Sequence, residues 1–354
     1  MSNKTVITVT GIRPDFIRMS EIFKKLDENF NHILIHSGQH FDRLLSGVFF
    51  EELDIRQPDY NLEVGGPGKE HFHQTALLSV KLIELIRAEN LNPDIILFLG
   101  DSNSVTCAVD LKKEGYKIGH VEAGMRSYDR RMLEEINRVV CDHCSDLLFV
   151  YHENYKKKAL REGINDESIH VVGNTIVEVV NKYKPTEPKK EDVIILDIHR
   201  PENFKYRKRL ENIIKFSNDV SKLYSLPVYM LGFKRTLKNI KDFRIDLGNV
   251  EVIDLLPFKS YIEEIYHSKF IISDSGTAQE EPALLNTPVV VPRDYTERPE
   301  SIENNCSIML NVNHYDKHMV KDASDWLGKY DPNIEWLGVG KTSDYIIEIL
   351  KNNL

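Results

Sequence analysis

Hydrophobic and polar positions along the chain fall into two alternating textures. Nearly unbroken apolar runs at 6–10, 32–37, 95–100 and 117–122 predict strands buried on both faces, the pattern of a parallel sheet. Between and beside them, residues 16–28, 41–52, 73–89 and 103–114 carry apolar side chains at three- and four-residue spacing, which predicts helices. Two further strands are expected at 146–151 and 168–172. Residues 181–192, reading NKYKPTEPKKED, interrupt the pattern with two prolines and dense charge, and predict a linker. Beyond it, predicted strands at 193–197, 228–231, 250–254, 270–273 and 288–291 alternate with helices at 207–223, 260–267 and 277–285. A last helix with an apolar stripe is expected at 345–354. Repeated strand–helix units imply an α/β chain with two doubly wound parallel sheets. The expected domains are 1–180 and 181–339, with 340–354 packing back on the first.

Composition narrows the class without naming a reaction. At about 150 residues per domain, a chain of 354 has room for two cores. No apolar run approaches the ~18 residues of a membrane span, and the chain enters VITVT without a signal-peptide pattern. Neither a membrane protein nor a secreted disulfide scaffold is therefore expected. Four cysteines fit a reducing compartment, and a formal charge of 46 − 55 = −9 argues against a general nucleic-acid binder. The expectation is a cytoplasmic enzyme.

Candidate chemistry gathers where predicted strands end, because open α/β sheets bind ligands at the carboxyl ends of their strands. Thr10–Pro14, TGIRP, can place Gly11, helix amides and Arg13 around an anion, or be a plain strand–helix turn. Asp101 after Gly100 is either an acid/base carboxylate or a helix cap. HVEAGMR puts Glu122 at the next strand end, and LEEINR sets Glu134 and Arg138 one helical turn apart. Three carboxylates in one pocket suit general acid/base work, since like charges raise one another's proton affinity. In the second half, DIHRPENF offers His199 and Arg200 as a diphosphate clamp. SDSGTAQEE offers Ser275 and Gly276 at a helix entry, with Glu280 and Glu281 one turn in to accept ribose hydroxyls, and RDYTERPE adds Arg298. Cys141 and Cys144 lack a second ligand pair, so they are read as thiols and no metal is expected.

In order, TGIRPDFIRMS, SGQHFD, FLGDSNS, HVEAGMRSYDRRMLEEINR, VVGNT, HRPENF, SDSGTAQEE and RDYTERPE resemble the non-hydrolysing UDP-N-acetylglucosamine 2-epimerase family across nearly the whole chain. The resemblance implies two Rossmann-like domains of the GT-B type, a homodimer, and a UDP-N-acetylhexosamine held in an interdomain cleft, with no cofactor. It also implies a place in polysaccharide biosynthesis. The implied reaction inverts C2 by elimination of UDP to a 2-acetamidoglycal, followed by re-addition. Carried over, Asp101, Glu122 and Glu134 are the acid/base carboxylates, with Asp101 and Glu134 as the proton-transfer pair, and His199 stands beside the diphosphate. Arg13, Arg138, Arg200, Ser275, Gly276, Glu281 and Arg298 match substrate-binding positions.

Three departures bear on the substrate. The span from Glu122 to Glu134 is 134 − 122 = 12 steps, shorter than in the usual UDP-GlcNAc enzymes. It is similar to that of relatives acting on 2,3-diacetamido-uronic acids or 6-deoxy amino sugars. Phe233 and Pro201 replace a histidine and an arginine that some relatives use in a second, regulatory UDP-GlcNAc site. Two alternatives stand beside it: a hydrolysing epimerase that shares the fold and carboxylates but releases UDP, and a GT-B glycosyltransferase, which the three placed carboxylates disfavour.

Overall fold

The computed structural model describes residues 4–38, 47–66 and 70–354. Two compact units emerge, one running up to Val179 together with Leu337–Leu354, the other Val180–Trp336. Among the described residues no helix is long and apolar enough to cross a membrane.

The first unit contains β1 (Thr5–Thr10), β2 (Asn31–His36), β3 (Tyr60–Asn61), β4 (Ile95–Leu99), β5 (Ile118–Ala123), β6 (Leu147–Val150) and β7 (Ile169–Val171). They form a parallel sheet in the order β3-β2-β1-β4-β5-β6-β7, with Ile7 of β1 in register with Ile33 of β2 and Ile96 of β4. β4 is buried at all five positions, as a strand covered on both faces must be. The helix His71–Ala88 reaches the core through Leu78, Leu82 and Ile86, a strict i, i+4, i+8 row. The final helix, Thr342–Asn353, packs on the helix Arg13–Asn29, with a Lys25–Asp344 ion pair, and its Ser343 amide donates to Glu178.

The second unit contains β8 (Val193–Asp197), β9 (Val228–Leu231), β10 (Val250–Ile253), β11 (Ser268–Ser273), β12 (Val289–Val291) and β13 (Ser307–Met309), all parallel, in the order β10-β9-β8-β11-β12-β13. Its core joins Ile194 and Leu196 of β8 and Phe270 and Ile272 of β11 to Leu210, Ile213 and Val220 of the helix Arg207–Tyr224. That helix ends where Ser225 turns left-handed.

Several expected elements need correction. Residues 103–114 do not form one helix; a 3₁₀ turn, Asn103–Cys107, precedes a short helix, Ala108–Lys113. Residues 277–285 likewise split into Thr277–Gln279 and Glu281–Leu284, with Pro282 unable to donate to a continuing ladder. The expected linker is anchored: its first residues belong to the helix Ile176–Tyr183, and Lys189 donates to the Asn286 carbonyl and Thr287 hydroxyl. The Tyr266 hydroxyl donates to the Glu187 carbonyl there as well. Of the helix expected at 41–52, Gly47–Leu53 is helical, and its beginning lies outside the described residues, as do most of SGQHFD.

Candidate active site

Both sheets reverse their winding direction once, between β1 and β4 and between β8 and β11, and a doubly wound sheet offers its ligand crevice at such a switch point. Arg13 follows β1, Asp101 follows β4, His199 and Arg200 follow β8, and Ser275 and Gly276 follow β11, while Glu122 and Arg298 belong to the ends of the neighbouring strands β5 and β12.

In the first unit, Gly100 leaves β4 with φ +70°, a conformation glycine adopts without a Cβ penalty, and so turns the chain into Asp101. His120 of β5 braces this turn: its Nε2 lies 2.7 Å from the Gly100 carbonyl and its Nδ1 2.6 Å from Asp142 Oδ1. Neither a carbonyl nor a carboxylate donates, so both ring nitrogens carry hydrogen and His120 is an imidazolium. Burial opposes that charge, but Cys141 and Asp142 outweigh it and raise the pKa well above the ordinary histidine value. Asp142 is shared with Arg126 Nη1 at 2.7 Å and the Gly124 amide at 3.0 Å, which locks the HVEAGMR segment.

Asp101 is not the cap of the turn that follows. Ser102 takes that place, its hydroxyl accepting from the Ser104 amide, while the Asp101 carboxylate pairs with Arg138 and remains 24% exposed. Arg138 is buried and also donates to Glu135 at 3.0 Å. Glu135 in turn accepts from the Ser127 amide and hydroxyl and from the Tyr128 amide, each at 2.9 Å. Of the adjacent carboxylates in LEEINR, Glu135 is thus committed to holding the loop, while Glu134 lies half-buried in the first turn of the helix Leu133–Cys144.

Glu122 sits in β5 with φ +70°, at the point where the register with β6 shifts. For a side-chain-bearing residue this backbone costs about 1–3 kcal/mol, and such a bulge re-aims the side chain. Glu122 accepts from Arg18 Nη1 at 2.5 Å and from the Tyr151 hydroxyl at 3.3 Å, both partners buried. Its Oε1 would lie 4.0 Å from a Cβ built on Gly100, so Glu122 stands beside the glycine that precedes Asp101. Sequence reading missed a further carboxylate. Asp15 accepts from the Gly11 and Ile12 amides at 2.7 and 3.0 Å. Burial drives its pKa up; the two amides pull it down, Asp101 and Glu122 push it up, and it stands at about 7. Arg13 begins the same helix, half-buried.

In the second unit, Asp274 after β11 accepts from the amides of His199 and Arg200 and from Asn203 Nδ2, at 3.0–3.1 Å, and thereby shapes the HRPEN turn after β8. His199 Nδ1 lies 2.8 Å from Asp197 Oδ1, and Asp197 Oδ2 accepts from the Ser273 hydroxyl. Burial would lower the imidazole pKa, but Asp197 and then Asp274 outweigh it and raise it, against a smaller opposing push from Arg200. Ser275 follows, its amide donating to Ser273 Oγ. Gly276 lets Glu297 and Arg298 approach the main chain, since a Cβ there would lie 2.5 Å from Glu297 Oε1 and 2.6 Å from Arg298 Nη1. Arg298 pairs with Glu280 at 2.8 Å and Glu297 at 2.6 Å; Arg293 and Arg200 approach Glu297 at 3.1 and 4.0 Å. Glu281 is buried at the head of Glu281–Leu284. The helix expected after Gly276 is thus two short turns, and Arg200, Arg293 and Arg298 gather beside Glu297.

Asp197, His199 and Asp274 are also close enough to suggest cation ligands. Their donor atoms are committed, however: both Asp197 oxygens accept from His199 or Ser273, and both Asp274 oxygens accept from amides. Cys141 and Cys144 lie on the helix Leu133–Cys144 as free thiols.

Residues 24–351 match the family described as UDP-N-acetylglucosamine 2-epimerase. A Methanococcus maripaludis protein named UDP-N-acetylglucosamine 2-epimerase is 34% identical, with 97% of each chain covered. The Pseudomonas aeruginosa UDP-2,3-diacetamido-2,3-dideoxy-D-glucuronate 2-epimerase is 31% identical over 98% of this chain and 99% of its own. Among solved structures, Methanocaldococcus jannaschii UDP-GlcNAc 2-epimerase in complex with UDP-GlcNAc and UDP superposes with a TM-score of 0.89 at 31% identity, covering 98% of this chain and 99% of that one. Two parallel α/β sheets of the GT-B type, strand-end carboxylates in one unit and an arginine–histidine cluster in the other therefore accompany a match over nearly the whole length, and the chain belongs to the UDP-N-acetylglucosamine 2-epimerase family.

Proposed function

We propose that the chain is a non-hydrolysing UDP-N-acetylhexosamine 2-epimerase, in which the first unit moves the proton at C2 and the second retains UDP. The observation that carries this reading is the pair Asp101 and Glu122, carboxylates at the ends of the neighbouring strands β4 and β5, each paired with a buried arginine. A proton leaves C2 as the bond from C1 to the diphosphate oxygen breaks, giving the 2-acetamidoglycal and UDP. A proton then adds to the opposite face of C2 while UDP returns to C1. Two carboxylates on different faces are needed, and Asp101 with Glu134 fills that role, Glu122 supporting. Arg13 and Arg138 serve the sugar side. His199, Arg200, Ser275, Gly276 and Arg298 hold the diphosphate and Glu281 the ribose, which stabilises the leaving group and keeps it bound. We further propose a homodimer working in the cytoplasm, supplying an epimerised sugar nucleotide to polysaccharide assembly.

The 31% identity to a diacetamido-glucuronate epimerase over 98% of this chain favours a second substrate class within the same reaction. Proton NMR in D2O with UDP-GlcNAc, a 6-deoxy analogue and the diacetamido-uronate decides. The expected result is deuterium at C2 of the accepted sugar, with both epimers present and UDP retained. Accumulating free UDP would favour the hydrolysing activity, and absence of C2 exchange with every sugar would overturn the proposal.

A further inference from the structure

We propose that Asp197 is a positioning residue for His199, fixing the ring with a proton on Nδ1 so that Nε2 presents a second N–H to an oxygen of the bound diphosphate. The inference rests on the reading of His199 as a diphosphate contact and adds what makes that contact work.

The geometry divides the labour between two buried aspartates. Asp274 holds the main chain, accepting from the amides of His199 and Arg200, and its Oδ1 is 3.6 Å from Nδ1, too far for a hydrogen bond. Asp197 holds the ring: Oδ1 is 2.8 Å from Nδ1, and Ser273, its register partner on β11, donates to Oδ2 at 3.0 Å. With both oxygens engaged, the Asp197 carboxylate is itself fixed, and it can only accept. Nδ1 therefore donates.

That assignment constrains the other nitrogen. A neutral ring protonated on Nδ1 has a lone pair on Nε2, which repels a phosphate oxygen; only the imidazolium donates from both nitrogens. Around the ring stand Asp197 from β8, Asp274 from the segment after β11, the adjacent Arg200, and the uncharged ring of Phe233, whose centroid is 4.8 Å away ahead of the helix Lys234–Phe243. Two carboxylates against one guanidinium favour the charged ring, and the pKa is raised accordingly. His199 is also the most accessible of the four charged or titratable groups, at 31% against 5% for Asp197 and 20% for Arg200.

The test uses the full chain labelled with 15N-histidine, with the His199 signals assigned from a His199→Gln spectrum. In the unmutated protein, His199 should titrate above an ordinary histidine and retain the Nδ1 proton. A ring that is neutral below that value, or protonated only on Nε2, overturns the proposal without any need for a variant. In Asp197→Asn the titration should move down, and UDP affinity at pH 7.5 should fall about tenfold, the equivalent of roughly one pKa unit, with little loss at pH 5.5. An unmoved titration in Asp197→Asn overturns the positioning role. A titration that moves while His199→Gln binds UDP as tightly as the parent overturns the diphosphate reading on which the proposal rests, and separates that failure from the first.

Discussion

The two units share a winding scheme but use charge in opposite senses. At the first switch point the acid is the reachable partner, Asp101 being 24% exposed and its Arg138 2%. At the second the base is reachable, His199 at 31% over Asp197 at 5% and Arg200 at 20% over Glu297 at 1%. The fold supplies the same crevice twice; which half of each ion pair lies deeper decides what the crevice can do. Buried arginines beneath carboxylates suit proton transfer, and buried carboxylates beneath arginine and histidine suit an anion that must be held and released. Neither arrangement is a device for stability, because burying both charges carries a desolvation cost that their attraction only partly offsets.

The comparison can be broken by removing one side at a time. The largest effect is expected from Asp101→Asn or Glu134→Gln, which should cut C2 deuterium exchange by about a hundredfold or more while UDP still binds. Near-parental exchange by either variant would remove it from the proton-transfer pair. Next, Arg18→Met leaves Glu122 buried without its guanidinium, at a cost of roughly 3–5 kcal/mol in denaturant unfolding. A loss below about 1 kcal/mol, as for a surface pair, would show that Glu122 is neutral or hydrated. Arg298→Gln acts on the other unit and should weaken UDP binding by about 1.5–3 kcal/mol in calorimetry, while unfolding of the first unit is unchanged. Equal UDP affinity would detach Arg298 from the nucleotide.

A further effect is a slope with pH, spread over about three units. Asp15 has its folded pKa raised from 3.8 to about 7, so its contribution is fully present at low pH. Between those values the unfolded chain has released the proton that the folded chain keeps, and stability declines as pH rises, by up to roughly 1.4 kcal/mol per unit. Asp15→Asn should lack this slope, gaining on the parent between pH 4 and 7 and no further above it. Thermal melts at pH 5, 6.5 and 8 would show the convergence, and a pH-independent gap would mean that Asp15 is charged throughout.

Elements were legible in the sequence wherever a single physical demand set the residues. β8 and β9 fall at 193–197 and 228–231, as their apolar runs require, because a strand covered on both faces tolerates nothing else. Segments with competing demands were not legible. The region 277–285 carries helix-forming residues, yet it breaks at Glu280, just ahead of Pro282. Residues 181–192 are charged like a linker, but Lys189 finds carbonyl partners nearly a hundred residues away.

Within the site, the strand-end carboxylates Asp101 and Glu122 and the turn residue His199 could be picked out by position alone. Their partners could not. Arg18 and Glu122 are 104 positions apart, and Asp101 and Arg138 are 37 apart. Nothing in LEEINR distinguishes Glu134 from Glu135; the fold does, by bringing Ser127, the Tyr128 amide and Arg138 to the latter. What the sequence by itself determined was the alternation of strands and helices, and hence which turns stand at the carboxyl ends of strands, because hydrophobic period and glycine placement act locally. Only the tertiary structure decided which charged groups face one another and which lie beneath, since proton affinity depends on neighbours and burial that the chain brings together from far along its length.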